Sequence, residues 1–343
     1  MTDSLSTVFI HKSKKHWIDQ FGNLANKQFG KSANRQSVKY NIRKRNRARV
    51  VEAAAQAVFT ICAFVAVFSV FFITLYMIAN GMPAIFKLGI RNILFSAVWQ
   101  PTAEDASYGI FYIILTSVAG TALAVLIGVP IALLTAVFLA EAAPKWLAAL
   151  VKPAIELLAG IPSVIYGLLG MMILNPVMYR LELKVFRDSD THRYTGGANL
   201  LSAVLVLAIM ILPTVVSISE TSLRAVPRQL KSSSLALGAS RVQTIFKVLI
   251  PAAKPGIITA IVLGVGRAVG EAMAISLVSG NSVNFPLPFA SVRFLTTAIV
   301  GEMGYASGVH RQVLFTIGLV LFAFIMTVNL AVNSIMKRGL KDD

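Results

Sequence analysis

From Pro255 to Gly280 the chain is mostly apolar and carries two charged residues, Arg267 and Glu271. A helix that enters a bilayer at Ala252 carries Arg267 about 22 Å along its axis, at about 1.5 Å per residue. That depth is near the middle of a hydrocarbon layer about 30 Å thick. An arginine there costs at least about 2.5 to 3.5 kcal/mol on insertion scales, so it marks a functional position and calls for a partner. On an unbroken helix Glu271 follows one turn later, and the two side chains are predicted to share a face. Two readings stay open. The pair neutralises itself during insertion, or Arg267 is a cationic station on an anion pathway. Its planar fork suits an oxyanion through two parallel hydrogen bonds, and a neighbouring carboxylate keeps the hold weak enough for release. Gly266 and Gly270 form a G-x-x-x-G pair beside them, which predicts a close helix approach.

Other reactive residue types give no second constellation. His11, His16, His192 and His310 are scattered without metal-ligand spacing, and Cys62 is the single cysteine, inside an apolar run. Neither a metal nor a cofactor is expected. Ala25 to Ser32 reads A-x-x-x-x-G-K-S, a loose match to a phosphate-cradling loop. That mechanism needs a buried strand before the loop and a packed helix after it, and neither flank qualifies.

The elements that position these residues follow from hydropathy. The 343 residues are 56% hydrophobic and 14% charged, with a mean hydropathy of +0.72, which points to a bilayer as solvent. Six apolar stretches, near 53–80, 109–140, 150–176, 199–219, 252–280 and 312–336, are long enough to span. Kinks are expected at Pro130 and Pro162, each shortly after a glycine. The fold class is therefore all-α, a polytopic membrane protein with about six transmembrane helices. Outside the spans, Lys and Arg total 23 in one set of alternating segments and 8 in the other. The positive-inside bias then places both termini and the 220–254 loop in the cytoplasm. The net charge of +17 is thus a topology signal, and nucleic-acid binding is not expected.

Residues 1–50 read as a basic cytoplasmic tail before a membrane domain over 51–343, with no removable signal peptide expected. Trp17, Phe21, Leu24 and Gln28 fall at helical spacing beside Lys14, Lys15 and Lys27. They form either an interfacial helix on anionic lipid or part of a disordered arm. The loop at about 220–254 contains helix-favouring runs broken at Gly238 and Pro251, so a short helix along the membrane face, a turn and entry into the fifth span are predicted.

That loop resembles the cytoplasmic coupling loop of ATP-binding-cassette importer permeases, whose pattern is E-A-A, three residues, Gly, nine residues, then I-x-L-P. Gly238 and Pro251 have the required separation, Val248 and Ile250 stand conservatively, and Ser232, Ser233 and Ser234 replace E-A-A. Further runs resemble the C-type permease subunit of the bacterial phosphate importer: R-A-V-G-E-A-M-A from Arg267 with S-G-N ending at Asn281, AIELLAGIPSVIYG from Ala154, and FLAEAAPKWL from Phe138. The resemblance covers about residues 105–337.

It implies a type I importer permease fold in a bacterial inner membrane. It implies no enzyme activity in this chain, ATP being hydrolysed by a separate subunit pair docked on Ser232–Ser234, Gly238 and Pro251. It also implies a second, A-type permease subunit, an external phosphate-binding protein, phosphate as substrate, and Arg267, Glu271, Asn281 and Glu156 on the substrate pathway. For Glu156 an interfacial, backbone-bonding role beside the Gly160–Pro162 kink stays equally open. The rivals are a permease for sulfate, molybdate or phosphonate, against which the R-A-V-G-E-A-M-A run argues, and a secondary anion transporter. The latter should show paired, interrupted spans in inverted halves, which the sequence does not display.

Overall fold

The computed structural model describes residues 51–339. The tail, with its interfacial-helix and G-K-S readings, lies outside the described residues. Among the described residues six helical stretches are long and apolar enough to cross a membrane: Val51–Leu88, Phe111–Ala142, Ser163–Val185, Leu200–Ala225, Arg241–Gly270 and Gly308–Ala331. The chain divides into two compact units between Ile73 and Thr74.

Helix α1 (Val51–Leu88) contributes residues 51–73 to the first unit. All of these side chains are exposed, among them Phe59, Phe64, Phe68 and Phe71. A helical segment that is largely apolar all round and exposed among the described residues is built for hydrocarbon surroundings.

In the second unit α2 (Ile90–Phe95) and a two-residue hairpin, β1 (Trp99–Gln100) with β2 (Ser107–Tyr108), lead to α3 (Phe111–Val137). Pro130 lies inside α3 without ending it. A π-helical turn, Phe138–Ala142, finishes this second span. Helix α4 (Lys145–Gly160) follows and buries none of its residues. At 16 residues it is about 24 Å long, short of a hydrocarbon layer.

The third span therefore differs from the stretch predicted at 150–176. It begins at Ser163 and comprises α5 (Ser163–Leu169), a π-helical turn and α6 (Asn175–Val185). Pro162 has no amide hydrogen and forces the residue before it out of the helical region. Ile161 is accordingly extended, at φ −68° and ψ 129°, so the chain breaks where a kink was expected.

Helix α7 (Leu200–Ala225) is the hub. Of its most apolar window 61% is buried, against 28% in the second, third, fifth and sixth spans. It packs on α3 and on α10 (Ile250–Gly270). A Cβ added at Gly128 of α3 would lie 2.7 Å from the Ile211 side chain of α7, so the absent side chain sets that helix separation.

Between α7 and α10 come α8 (Arg228–Ala236), α9 (Arg241–Thr244) and a π-helical turn, Ile245–Leu249. The break expected at Gly238 is present, but none occurs at Pro251. The helix runs from Arg241 to Gly270, because the wider turn just before Pro251 absorbs the hydrogen bond that proline cannot donate. Helix α10 stops at Gly270, ten residues before the expected end of the span, and α11 (Met273–Val278), α12 (Leu295–Glu302) and α13 (Gly308–Gly339) complete the unit.

Candidate functional site

The cation expected inside the membrane is present, in the last turn of α10. Arg267 is half-buried, and its Nη1 donates to Thr214 Oγ1 of α7 at 3.4 Å. Tyr166 of α5 lies within electrostatic reach of the guanidinium and donates its hydroxyl to the Leu158 carbonyl at 2.7 Å. Among the described residues no carboxylate pairs with Arg267. Most of its donors are therefore uncommitted, the state in which a guanidinium can receive an oxyanion.

The shared helical face predicted for Arg267 and Glu271 does not exist. Glu271 is extended, at φ −74° and ψ 127°, and its carboxylate turns forward to accept the Ala274 amide at 2.9 Å. It is 8% exposed and satisfies one of the orphan amides that open α11. Its own carbonyl accepts from Thr296 of α12 at 2.7 Å. The i, i+4 expectation failed because it assumed an unbroken helix. At the break a Cβ placed on Gly266 or Gly270 would meet nothing within 4 Å. The close approach predicted there is thus not made by any described helix of this chain.

Asn281 follows α11 in the left-handed region, at φ 60°. Its carbonyl accepts from Arg293 Nε at 2.9 Å, and its Oδ1 is buried without a hydrogen-bond partner among the described residues. Arg293 in turn pairs with Glu302, which also accepts Trp99 Nε1 at 3.2 Å and lies 2.7 Å from His310 Nε2. This cluster was missed in the sequence. Trp99 and Glu302 are 203 residues apart, and no local spacing signals such a contact. A second unforeseen group joins Glu182, fully buried, to His192 at 2.8 Å and to the Thr195 amide at 2.9 Å.

Glu156 sits elsewhere. It is exposed on α4 and lines a small cleft with Lys152 and Glu220, and no hydrogen bond to it is present among the described residues. Ser232, Ser233 and Ser234 all lie on α8. Ser234 Oγ is 2.9 Å from Thr244 Oγ1 of α9. Gly238 has φ +86° and open space around its Cα, while the Gly238 and Ala239 amides donate to the Leu235 and Ser234 carbonyls, a Schellman stop. Ser240 and Gln243 then cap α9 reciprocally. The result is a short rigid helix held by two turns beyond the ends of α7 and α10. Leu237 at its tip is 89% exposed.

Comparison with known proteins adds four findings. Residues 128–340 match the family described as binding-protein-dependent transport system inner membrane component. The chain is 38% identical over 296 residues to the probable ABC transporter permease protein YqgH of Bacillus subtilis, covering 84% of this chain and 93% of that one. It is also 38% identical over 248 residues to the phosphate transport system permease protein PstC of Pasteurella multocida, covering 69% of this chain and 77% of that one. Among solved structures, a chain of the bacterial alginate ABC transporter in complex with its pentasaccharide-bound periplasmic protein superposes with a TM-score of 0.58 at 15% identity. The match covers 82% of this chain and 94% of that one, a likeness of fold.

Proposed function

The chain belongs to the family of binding-protein-dependent transport system inner membrane components, and on that premise we propose that it is the inner-membrane permease subunit of an ATP-driven phosphate importer. The observation that carries the substrate is the identity to the PstC permease, joined to a half-buried arginine in the fifth span whose donors are not spent on a carboxylate.

In this reading the chain catalyses no reaction. It forms half of the pathway with a second, A-type permease chain, and α8 docks on a dimer of ATPase subunits. An external phosphate-binding protein delivers the anion at the end of the spans opposite α8. Both termini and α8 lie in the cytoplasm, in accord with the charge asymmetry of the loops. Closure of the ATPase pair rocks the spans and opens the pathway outward, and hydrolysis resets it.

Arg267 receives the phosphate oxyanion on its fork. In this reading Glu271 and Asn281, which follow the helix break in sequence, also border the passage. Glu271 holds α11 in place by capping it and adds a negative charge close to the passage, so that the anion is not held too tightly to leave. Glu156 stands at the α8 end of the pathway.

Uptake of inorganic phosphate at matched subunit abundance tests this reading. Arg267→Gln should abolish uptake while the subunit still inserts. Arg267→Lys, which keeps the charge and loses the fork, should retain a fraction of it with a raised KM. Near-normal uptake by Arg267→Gln would remove the anion station, and uptake competed equally by sulfate or molybdate would remove the phosphate assignment.

A further inference from the structure

We propose that Glu220 is the hub of an ionic lock that carries movement of α8 into the spans; the proposal rests on the reading of the chain as an ATP-driven permease. Glu220 is 3% exposed, in the penultimate turn of α7. Its Oε2 accepts from Lys152 of α4 at 3.2 Å, and its Oε1 accepts from Nε of Arg224, one turn further along α7. A buried carboxylate with two cations from two helices is fixed in position, because release of either partner leaves charge in a low-dielectric surrounding.

The chain of contacts continues to α8. Arg224 Nη2 donates to the Leu139 carbonyl at 2.9 Å. That carbonyl belongs to the π-helical turn that ends the second span. Its partner in the turn would be the amide five residues on, which is Pro144 and has no hydrogen. The guanidinium therefore replaces a bond the backbone cannot make. In the same turn Glu141 pairs with Lys231 of α8.

One polar path thus runs from α8 through the end of the second span to α7 and α4. It is surrounded by the buried residues Leu139, Val216 and Leu223. A displacement of α8 would pull on Glu141 and, through the Leu139 carbonyl and Arg224, on Glu220, so that it is passed on along this path to α7 and α4.

Two readouts separate transmission from a merely structural part: phosphate taken up and ATP hydrolysed, measured on the whole complex of this chain with its partner permease, ATPase subunits and binding protein in liposomes. In Glu220→Gln, ATP hydrolysis should persist without stimulation by loaded binding protein, and inorganic phosphate imported per ATP should fall at least about 5-fold, the lower end of coupling between sites. Lys231→Met, at a side chain 44% exposed, should shift the ratio the same way, and Lys231→Arg should restore it.

Uptake and hydrolysis that fall in proportion, or a ratio unchanged in these variants, would overturn the lock. Should Glu220→Gln fail to accumulate, the ratio in Lys231→Met decides alone. A wild-type complex that imports no phosphate would overturn the permease reading itself, and the lock with it, whereas a working wild type with fully coupled variants overturns only the lock.

Discussion

Glu302 has no span-crossing role in the proposed mechanism, yet it is 5% exposed and bonded to Arg293, Trp99 and His310. Removal of one partner from a buried charge pair costs about 3 to 5 kcal/mol, because the remaining charge is stranded. Arg293→Met should therefore lower the Tm of the detergent-purified subunit markedly, and Glu302→Gln less, since the amide still bonds Trp99 and His310. An unchanged Tm in Arg293→Met would show the pair to be energetically idle. This cluster also marks what single residues reveal in a sequence. Arg267 was legible because one cation in an apolar run is conspicuous at any register. Glu302 was not, because its partners come from β1, from the loop before α12 and from α13. The face assigned to Glu271 failed for a related reason: whether a helix continues past Gly270 depends on the Ala274 amide and on Thr296, not on the residues between.

At the level of elements, α8 and its turn were readable because glycine at a helix stop has a local cause. Gly238 takes φ +86°, and a side chain in that region costs about 1 to 2 kcal/mol. A β-branched residue makes the Schellman turn untenable, while the open space around Gly238 means that no neighbour is pushed. Gly238→Val should thus leave insertion and abundance intact and remove stimulation of ATP hydrolysis by loaded binding protein. Normal stimulation in a correctly assembled variant would detach α8 from the ATPase. Prolines were less transparent. Pro162 ends a helix, Pro130 lies within one, and Pro251 sits beside a π-helical turn that absorbs its missing donor. A proline alone does not say which of these outcomes follows, because the backbone just before it can break, continue or widen. The Ala274 backbone, 2.8 Å from a Cβ added at Gly167, illustrates how tightly α5 is fixed beyond Pro162.

For the whole molecule, the number and order of the spans were legible because hydropathy is summed over some twenty residues, which averages out local irregularity. Which span occupies the centre was not. Helix α7 is no more hydrophobic than the first or second span, and only the folded structure distinguishes it. Reporter fusions after residues 95, 188 and 295 should read external, and fusions after 146 and 235 cytoplasmic; the opposite pattern would invert the charge-based orientation. The open flank at Gly266 offers a different kind of reading, one based on sign. Alanine is the better helix former by about 1 kcal/mol, and its methyl would meet no other element among the described residues. Gly266→Ala should then make the solitary subunit slightly harder to unfold, and the assembled transporter easier to dissociate wherever a foreign helix rests on that flank. A single methyl group would act as a gauge of neighbourhood, its effect reversing when the chain ceases to be alone.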